Sequence, residues 1–265
     1  GVFSKIFSLI PAYGYWKEIF KLKPTPELVH FVIGELNRDV HPSLCAKYIP
    51  RKGIWFGKLR KELEMTLSQF RHYIVAKTKV VEQQMCANKW SEIDYSKVPS
   101  IAGLRYAKAF TNHDTLRYQR FIHQVYEGEQ KINANVLYPC DIVRQYGEVS
   151  DETIIALWNN LPNYMKGCKD RILPVCDVSG SMSGIPLEVS VSLGCYISER
   201  NEGPFKDAFI TFSDVPQMQY LQGNIVERMD QLKTADWDNN TNLQAVFTLI
   251  LKKAIDNRIP QDQMP

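Results

Sequence analysis

Apolar residues recur at helical spacing through the first two thirds of the chain. Leu28, Val32 and Leu36 stand four apart, with Val29 and Ile33 beside them. Thr25-Pro26-Glu27 precedes them: a capping hydroxyl, a proline at the first helical position and an acid in the first turn. His41-Pro42 closes that run. Phe56, Leu59, Leu63, Leu67, Phe70 and Ile74 are spaced 3, 4, 4, 3 and 4 apart, which predicts one amphipathic helix over 56–74. Leu116, Phe121, Ile122 and Val125 form another stripe. Ser150 with Asp151 and Glu152 opens a further helix that Pro162 stops. Successive amphipathic helices of similar length suit a helical-repeat, HEAT-like stack, with an irregular helical bundle as the alternative.

The texture changes at Arg171. Residues 172–176 are a short apolar run of buried-strand type that stops on Asp177. Residues 206–213 are rich in aromatic and β-branched side chains, as a second strand requires. Residues 217–221 read as a short edge strand. Helices are predicted over 186–200, 224–233 and 242–257. Leu187, Val189, Val191 and Leu193 alternate as in a strand, but Pro186 fits a first helical turn and a parallel crossover needs a helix. The expected architecture is therefore multidomain α plus α/β, with a helical module over 1–168 and a Rossmann-like α/β portion over 171–265.

Charge sharpens this division. Among the 265 residues, 1–170 carry 24 Lys+Arg against 17 Asp+Glu, whereas 171–265 carry 8 against 12. The basic excess lies in one window that holds Lys47, Arg51, Lys52, Lys58, Arg60, Lys61, Arg71, Lys77 and Lys79 against only Glu62 and Glu64. With the apolar stripe facing a core, most of these cations would face outward and draw RNA phosphates, without reading bases. A solvated face, or docking onto the acidic portion, is the competing reading.

Candidate chemistry concentrates where the first α/β strand ends. Asp177-Val178-Ser179-Gly180-Ser181 can aim a carboxylate and two hydroxyls at one point, and α/β sheets bind ligands at the carboxyl ends of their strands. Hard oxygen donors suit Mg²⁺, or another divalent cation such as Ca²⁺ or Mn²⁺. Thr241, which precedes another apolar helix, could add a hydroxyl to the same rim. In the dull reading, the Asp and Ser residues simply cap the next helix.

The motif DVSGSM at 177–182, after a buried strand, resembles the metal-ion-dependent adhesion site (MIDAS) of von Willebrand factor A domains. NTNLQAVFTLIL at 240–251 resembles the second loop of that site, with Thr241 in the metal-facing position. The resemblance implies a metal set of Asp177, Ser179, Ser181 and Thr241. The third, acidic loop of such domains has no counterpart before Pro265, so the portion reads as a truncated A domain. YGYWKEIF at 13–20, KYIPRKG at 47–53 and KWSEIDYSKVPSIAG at 89–103 resemble a helical module found before such A domains in domain-of-unknown-function family 2828. That pairing is similar in plan to the TROVE module and A domain of the Ro autoantigen. The likeness implies an RNA-binding, ribonucleoprotein-type scaffold.

Other chemistries find little support. Gly180-Ser181-Met182-Ser183-Gly184 places Met where a nucleophile elbow needs Ser. The five histidines lack ligand spacing, and no phosphate-binding glycine loop is present. No paired carboxylates flank the loop, so an enzyme is not expected. Two classes remain: an RNA-binding scaffold, and a protein-interaction module in which a partner carboxylate completes the bound Mg²⁺. Six sparse cysteines without a CxxC pair point to a reducing compartment, cytoplasmic or nuclear. No run approaches the roughly 20 apolar residues of a membrane span, so no membrane association is expected. Gly1 is not an initiator Met, and the N-terminus reads as a fragment boundary.

Overall fold

The computed structural model describes all residues other than 1, 14, 39–41, 169, 212–214 and 234–241. It is mostly helical, with one small sheet, and divides into two compact units, Gly1–Ile93 and Asp94–Pro265.

The first unit holds seven helices among its described residues: α1 (Val2–Tyr13), α2 (Trp16–Ile19), α3 (Pro26–Leu36), α4 (Pro42–Tyr48), α5 (Ile54–Glu62), α6 (Leu67–Lys77) and α7 (Val81–Cys86). Helix α3 starts where the sequence signals it: Thr25 Oγ1 accepts from Leu28 N at 3.3 Å. Val32, Leu36, Leu59, Phe70 and Ile74 are fully buried in this unit's core, where the Phe56 and Phe70 rings pack edge-on with centroids 4.9 Å apart.

One expectation is corrected here. Residues 56–74 do not form a single helix. The chain leaves α5 at Leu63 and passes through Glu64 in the left-handed region, at φ 52°. Thr66 then restarts it with a capping box, its Oγ1 accepting from Gln69 N at 3.3 Å while Gln69 Oε1 accepts from Thr66 N at 2.9 Å. These bonds satisfy N–H groups that a continuous helix would have used, so the break is locally stabilised. Leu67 falls outside the apolar stripe and is exposed.

The second unit begins with helices α8 (Ser100–His113), α9 (Thr115–Tyr126), α10 (Pro139–Val143) and α11 (Asp151–Asn159). Ser150 caps α11 as expected, accepting from Thr153 N. Tyr95 is the hub of an aromatic cluster with Phe110, Tyr118 and Phe121, and its hydroxyl donates to Asp114 Oδ2 at 2.7 Å. Leu116, assigned to the apolar stripe of α9, is exposed, whereas Phe121, Ile122 and Val125 are buried.

The α/β part of this unit contains β1 (Val175–Cys176), α12 (Ile185–Arg200), β2 (Ala208–Thr211), β3 (Met218–Tyr220), α13 (Ile225–Lys233) and α14 (Leu243–Asp256). Strand order is β1-β2-β3, parallel between β1 and β2 and antiparallel between β2 and β3. Val175 pairs with Ile210 and Cys176 with Thr211, so β1, α12 and β2 form a parallel crossover unit. The first strand is shorter than predicted: residues 172–174 lead into it, and of these Pro174 O accepts from Ile210 N of β2 at 3.1 Å. The alternation of Leu187 to Leu193 is overridden, and α12 is a helix throughout. Gly194 lets α12 approach the sheet; a Cβ there would collide with the Phe209 ring and the Cys176 sulfur.

The change of texture at Arg171 falls inside this second unit. Leu104, Ile142 and Trp158 from the helices share one apolar cluster with Cys176, Phe209 and Leu232 from the α/β part. Ion pairing crosses the same junction: Arg144 meets Glu188 at 2.7 Å.

Candidate functional site at the end of the first strand

Residues 177–184 join β1 to α12. Val178 points inward, 5% exposed, and anchors the loop to the core. Its neighbours Asp177 and Ser179 are half-buried, and Ser181 is exposed. This inside–outside alternation is what an extended segment produces, and it turns the polar side chains away from the core. Asp177 Oδ1 accepts from Ser179 N at 2.9 Å, closing a local turn and fixing the carboxylate over the loop. Gly180–Met182 make a single 3₁₀ turn, which brings the Ser179 and Ser181 hydroxyl oxygens to 3.0 Å. Gly184, at φ 86°, swings the chain into α12, where Pro186 occupies the first turn.

The donor set fits a hard cation. Adjacent ligands of an octahedral ion bound at about 2.1 Å sit about 3 Å apart, which the two hydroxyls already satisfy. Asp177 supplies one negative charge and keeps an oxygen beyond the one bonded to Ser179. Thr241, the fourth expected ligand, lies outside the described residues. The helix that follows it is capped by Asn242, whose Oδ1 accepts from Ala245 N at 3.0 Å. Among the described residues, no cluster of three or more His, Cys, Asp or Glu could hold a metal. A cation here would rely on hydroxyls.

The buried thiols are poor nucleophiles. Burial pushes Cys176 up to about 11 and Cys195 up to about 12, and raises Cys45 further. All six cysteines are unbridged.

The basic window of the first unit is partly engaged within the protein. Lys47 pairs with Glu82 at 2.8 Å, Lys58 Nζ donates to Pro24 O at 2.9 Å, and Arg60 donates to Met65 O at 3.0 Å. Lys77 lies over the Tyr73 ring. The remaining five, Arg51, Lys52, Lys61, Arg71 and Lys79, are exposed and make no ion pair among the described residues. Of the nine cations, most of which were expected to face outward, two are thus engaged by distant groups and two by local ones, which leaves five. The two distant partners are a carbonyl from a preceding loop and an acid 35 residues away, neither visible in the local pattern.

Sequence reasoning also missed a groove in the α/β part. It lies between Val215-Pro216, after β2, and the first three turns of α14.

Two families of domains match parts of the chain. A family described as Domain of unknown function (DUF2828) matches residues 55–161, and one described as Domain of unknown function (DUF7788) matches residues 171–265. "Uncharacterized protein L728" of Acanthamoeba polyphaga mimivirus is 26% identical across 98% of this chain. The chain spans 56% of the length of that protein. No solved structure matches. No helix among the described residues is long and apolar enough to cross a membrane.

Proposed function

We propose that this protein is a non-enzymatic binding scaffold whose strand-end loop holds a divalent cation, Mg²⁺ by the hardness of its ligands, which a carboxylate of a protein partner completes. In this reading the loop is a MIDAS-type site in a von Willebrand factor A-like, Rossmann-like fold. The observation that carries the proposal is the 3.0 Å approach of the Ser179 and Ser181 hydroxyls beside the Asp177 carboxylate. The donor set supplies coordination and no acid–base pair, so it suits adhesion rather than hydrolysis. Unbridged cysteines are in keeping with a cytoplasmic or nuclear setting. Isothermal titration of Mg²⁺ tests the proposal. The parent should bind and Asp177→Ala should not, while the far-ultraviolet circular dichroism of the two stays the same. Equal binding by both proteins, or none by the parent, rejects it.

A second reading has its own support. Arg51, Lys52, Lys61, Arg71 and Lys79 form an exposed, unbalanced cationic set in the first unit, as an RNA-binding helical scaffold of the Ro type requires. Filter binding of structured and single-stranded RNA across a salt series tests it. Affinity should fall steeply with salt, and each phosphate-contacting cation removed should flatten the slope by roughly one unit. Retention that is unchanged when Arg51, Lys52 and Lys61 are replaced by Glu excludes this surface.

A further inference from the structure

Two turns of the first unit that are distant in sequence are held side by side. The buried Trp55 indole N–H donates to Leu22 O at 2.9 Å, its ring packs edge-on against Phe20 with centroids 5.2 Å apart, and Lys58 Nζ donates to Pro24 O at 2.9 Å. The turn Lys21-Leu22-Lys23 after α2 is thereby fixed against Arg51-Lys52-Gly53-Ile54, which leads into α5. Each turn exposes one aliphatic side chain among cations. Leu22 is 45% exposed between Lys21 and Lys23, and Ile54 is 60% exposed between Lys52 and Lys58. Residues 15–27 and 49–61 together carry eight Lys+Arg against two acids, Glu18 and Glu27. Glu18 is taken by Lys21 at 2.8 Å, whereas Lys23, Arg51 and Lys52 are exposed and make no ion pair among the described residues. The one acid of this unit outside the described residues is Asp39, which comes after α3 in the chain; the patch adjoins the start of that 11-residue helix.

We infer that this patch is a peripheral docking site for an anionic bilayer surface: Lys23, Arg51 and Lys52 meet the headgroups while Leu22 and Ile54 enter the boundary between headgroups and acyl chains. The contact needs no spanning element, and it is independent of the Asp177 loop. The mixed chemistry selects the partner. Cations alone would serve RNA phosphates equally well, but an aliphatic side chain held in water between cations gains nothing from a phosphate backbone. At a bilayer the same order, charge at headgroup level and an aliphatic tip just deeper, satisfies both groups. A protein partner would call for a broad apolar centre with charge at its rim. Here each aliphatic tip is itself bracketed by charge. Two such tips anchor only weakly by themselves, so the cations are required and the attachment is reversible and sensitive to salt.

The test is sedimentation of the whole chain with vesicles of phosphatidylcholine alone, or of phosphatidylcholine with about 30% phosphatidylserine, across a salt series. Binding should need the anionic lipid and fall as salt rises. Leu22→Ser combined with Ile54→Ser should weaken it about tenfold or more with every cation in place. Lys23→Ala, Arg51→Ala and Lys52→Ala together should cost about a hundredfold. All five side chains are exposed, so the circular dichroism of each variant should match that of the parent. Ile54→Trp reads depth directly: its added emission should be quenched by brominated acyl chains. No binding to the anionic vesicles, equal binding to both compositions, or binding indifferent to Leu22 and Ile54 overturns the assignment, as does unquenched Ile54→Trp emission. RNA retention that falls in the double serine variant, without vesicle binding, gives the patch to RNA instead.

Discussion

Trp158 donates its indole N–H to Glu199 Oε2 at 2.6 Å, joining the last helix before Arg171 to the helix that follows the first strand. Arg200 completes the clasp. It donates to the same carboxylate oxygen at 2.7 Å, reaches Trp158 O at 3.3 Å, and lies 4.0 Å from the centre of the Tyr196 ring. Trp158 is fully buried, so its N–H has no route to water. The helices of 94–161 and the sheet are thereby held as parts of one unit.

Glu199→Ala should cost about 1–3 kcal/mol, because it strands a buried indole donor and removes the Arg200 partner. Urea unfolding measures it. In a Trp158→Phe background the same change should cost distinctly less, since the donor is already gone. Equal losses in both backgrounds would show that the bond carries no coupling.

Gly194→Ala should destabilise the second unit by about 1–3 kcal/mol, since the added methyl meets Phe209 and Cys176 in a filled core. The companion variant Phe209→Leu should recover part of the loss in Gly194→Ala by opening space at the collision. Thermal unfolding monitored by circular dichroism reads both.

Thr66→Ala should lower stability by about 1 kcal/mol by removing half of the capping box. Thr66→Ser should be nearly neutral, because the hydroxyl is retained. Hydrogen exchange at the first amides of α6 locates the effect: those of Leu67 to Gln69 should exchange faster in the alanine variant.

Cys86 and Cys168 are exposed and should react with Ellman's reagent at pH 8 in the folded protein, whereas Cys45, Cys176 and Cys195 should react only on unfolding. Burial raises the folded pKa of Cys176 to about 11 and of Cys195 to about 12, from an ordinary value of 9.0. The neutral thiol is thus favoured by folding. That contribution is complete below about pH 9 and is lost as pH rises towards 11 and 12, as the unfolded thiols ionise first. Denaturation midpoints between pH 8 and 11 should fall, and Cys195→Ala should make the fall shallower.

What the sequence by itself determined was local. Thr25-Pro26 and Ser150 each start a helix where they stand, because a capping hydroxyl acts on amides three residues away. The strand, the Asp177 loop and α12 follow in the predicted order because an apolar run, two glycines and Pro186 settle those conformations without distant help. The break between α5 and α6 was also written locally, in Thr66 and Gln69, but the apolar spacing continues across it and masks it. Tertiary structure decided the rest. It chose which cations stay outward, since Lys47 finds Glu82 and Lys58 finds the Pro24 carbonyl only after the helices pack. It made the Trp158–Glu199 bond between residues 41 apart and laid β1 alongside β2 in parallel register. Periodicity reports which side of an element is apolar; the neighbour that covers that side is fixed only when distant segments bury surface together.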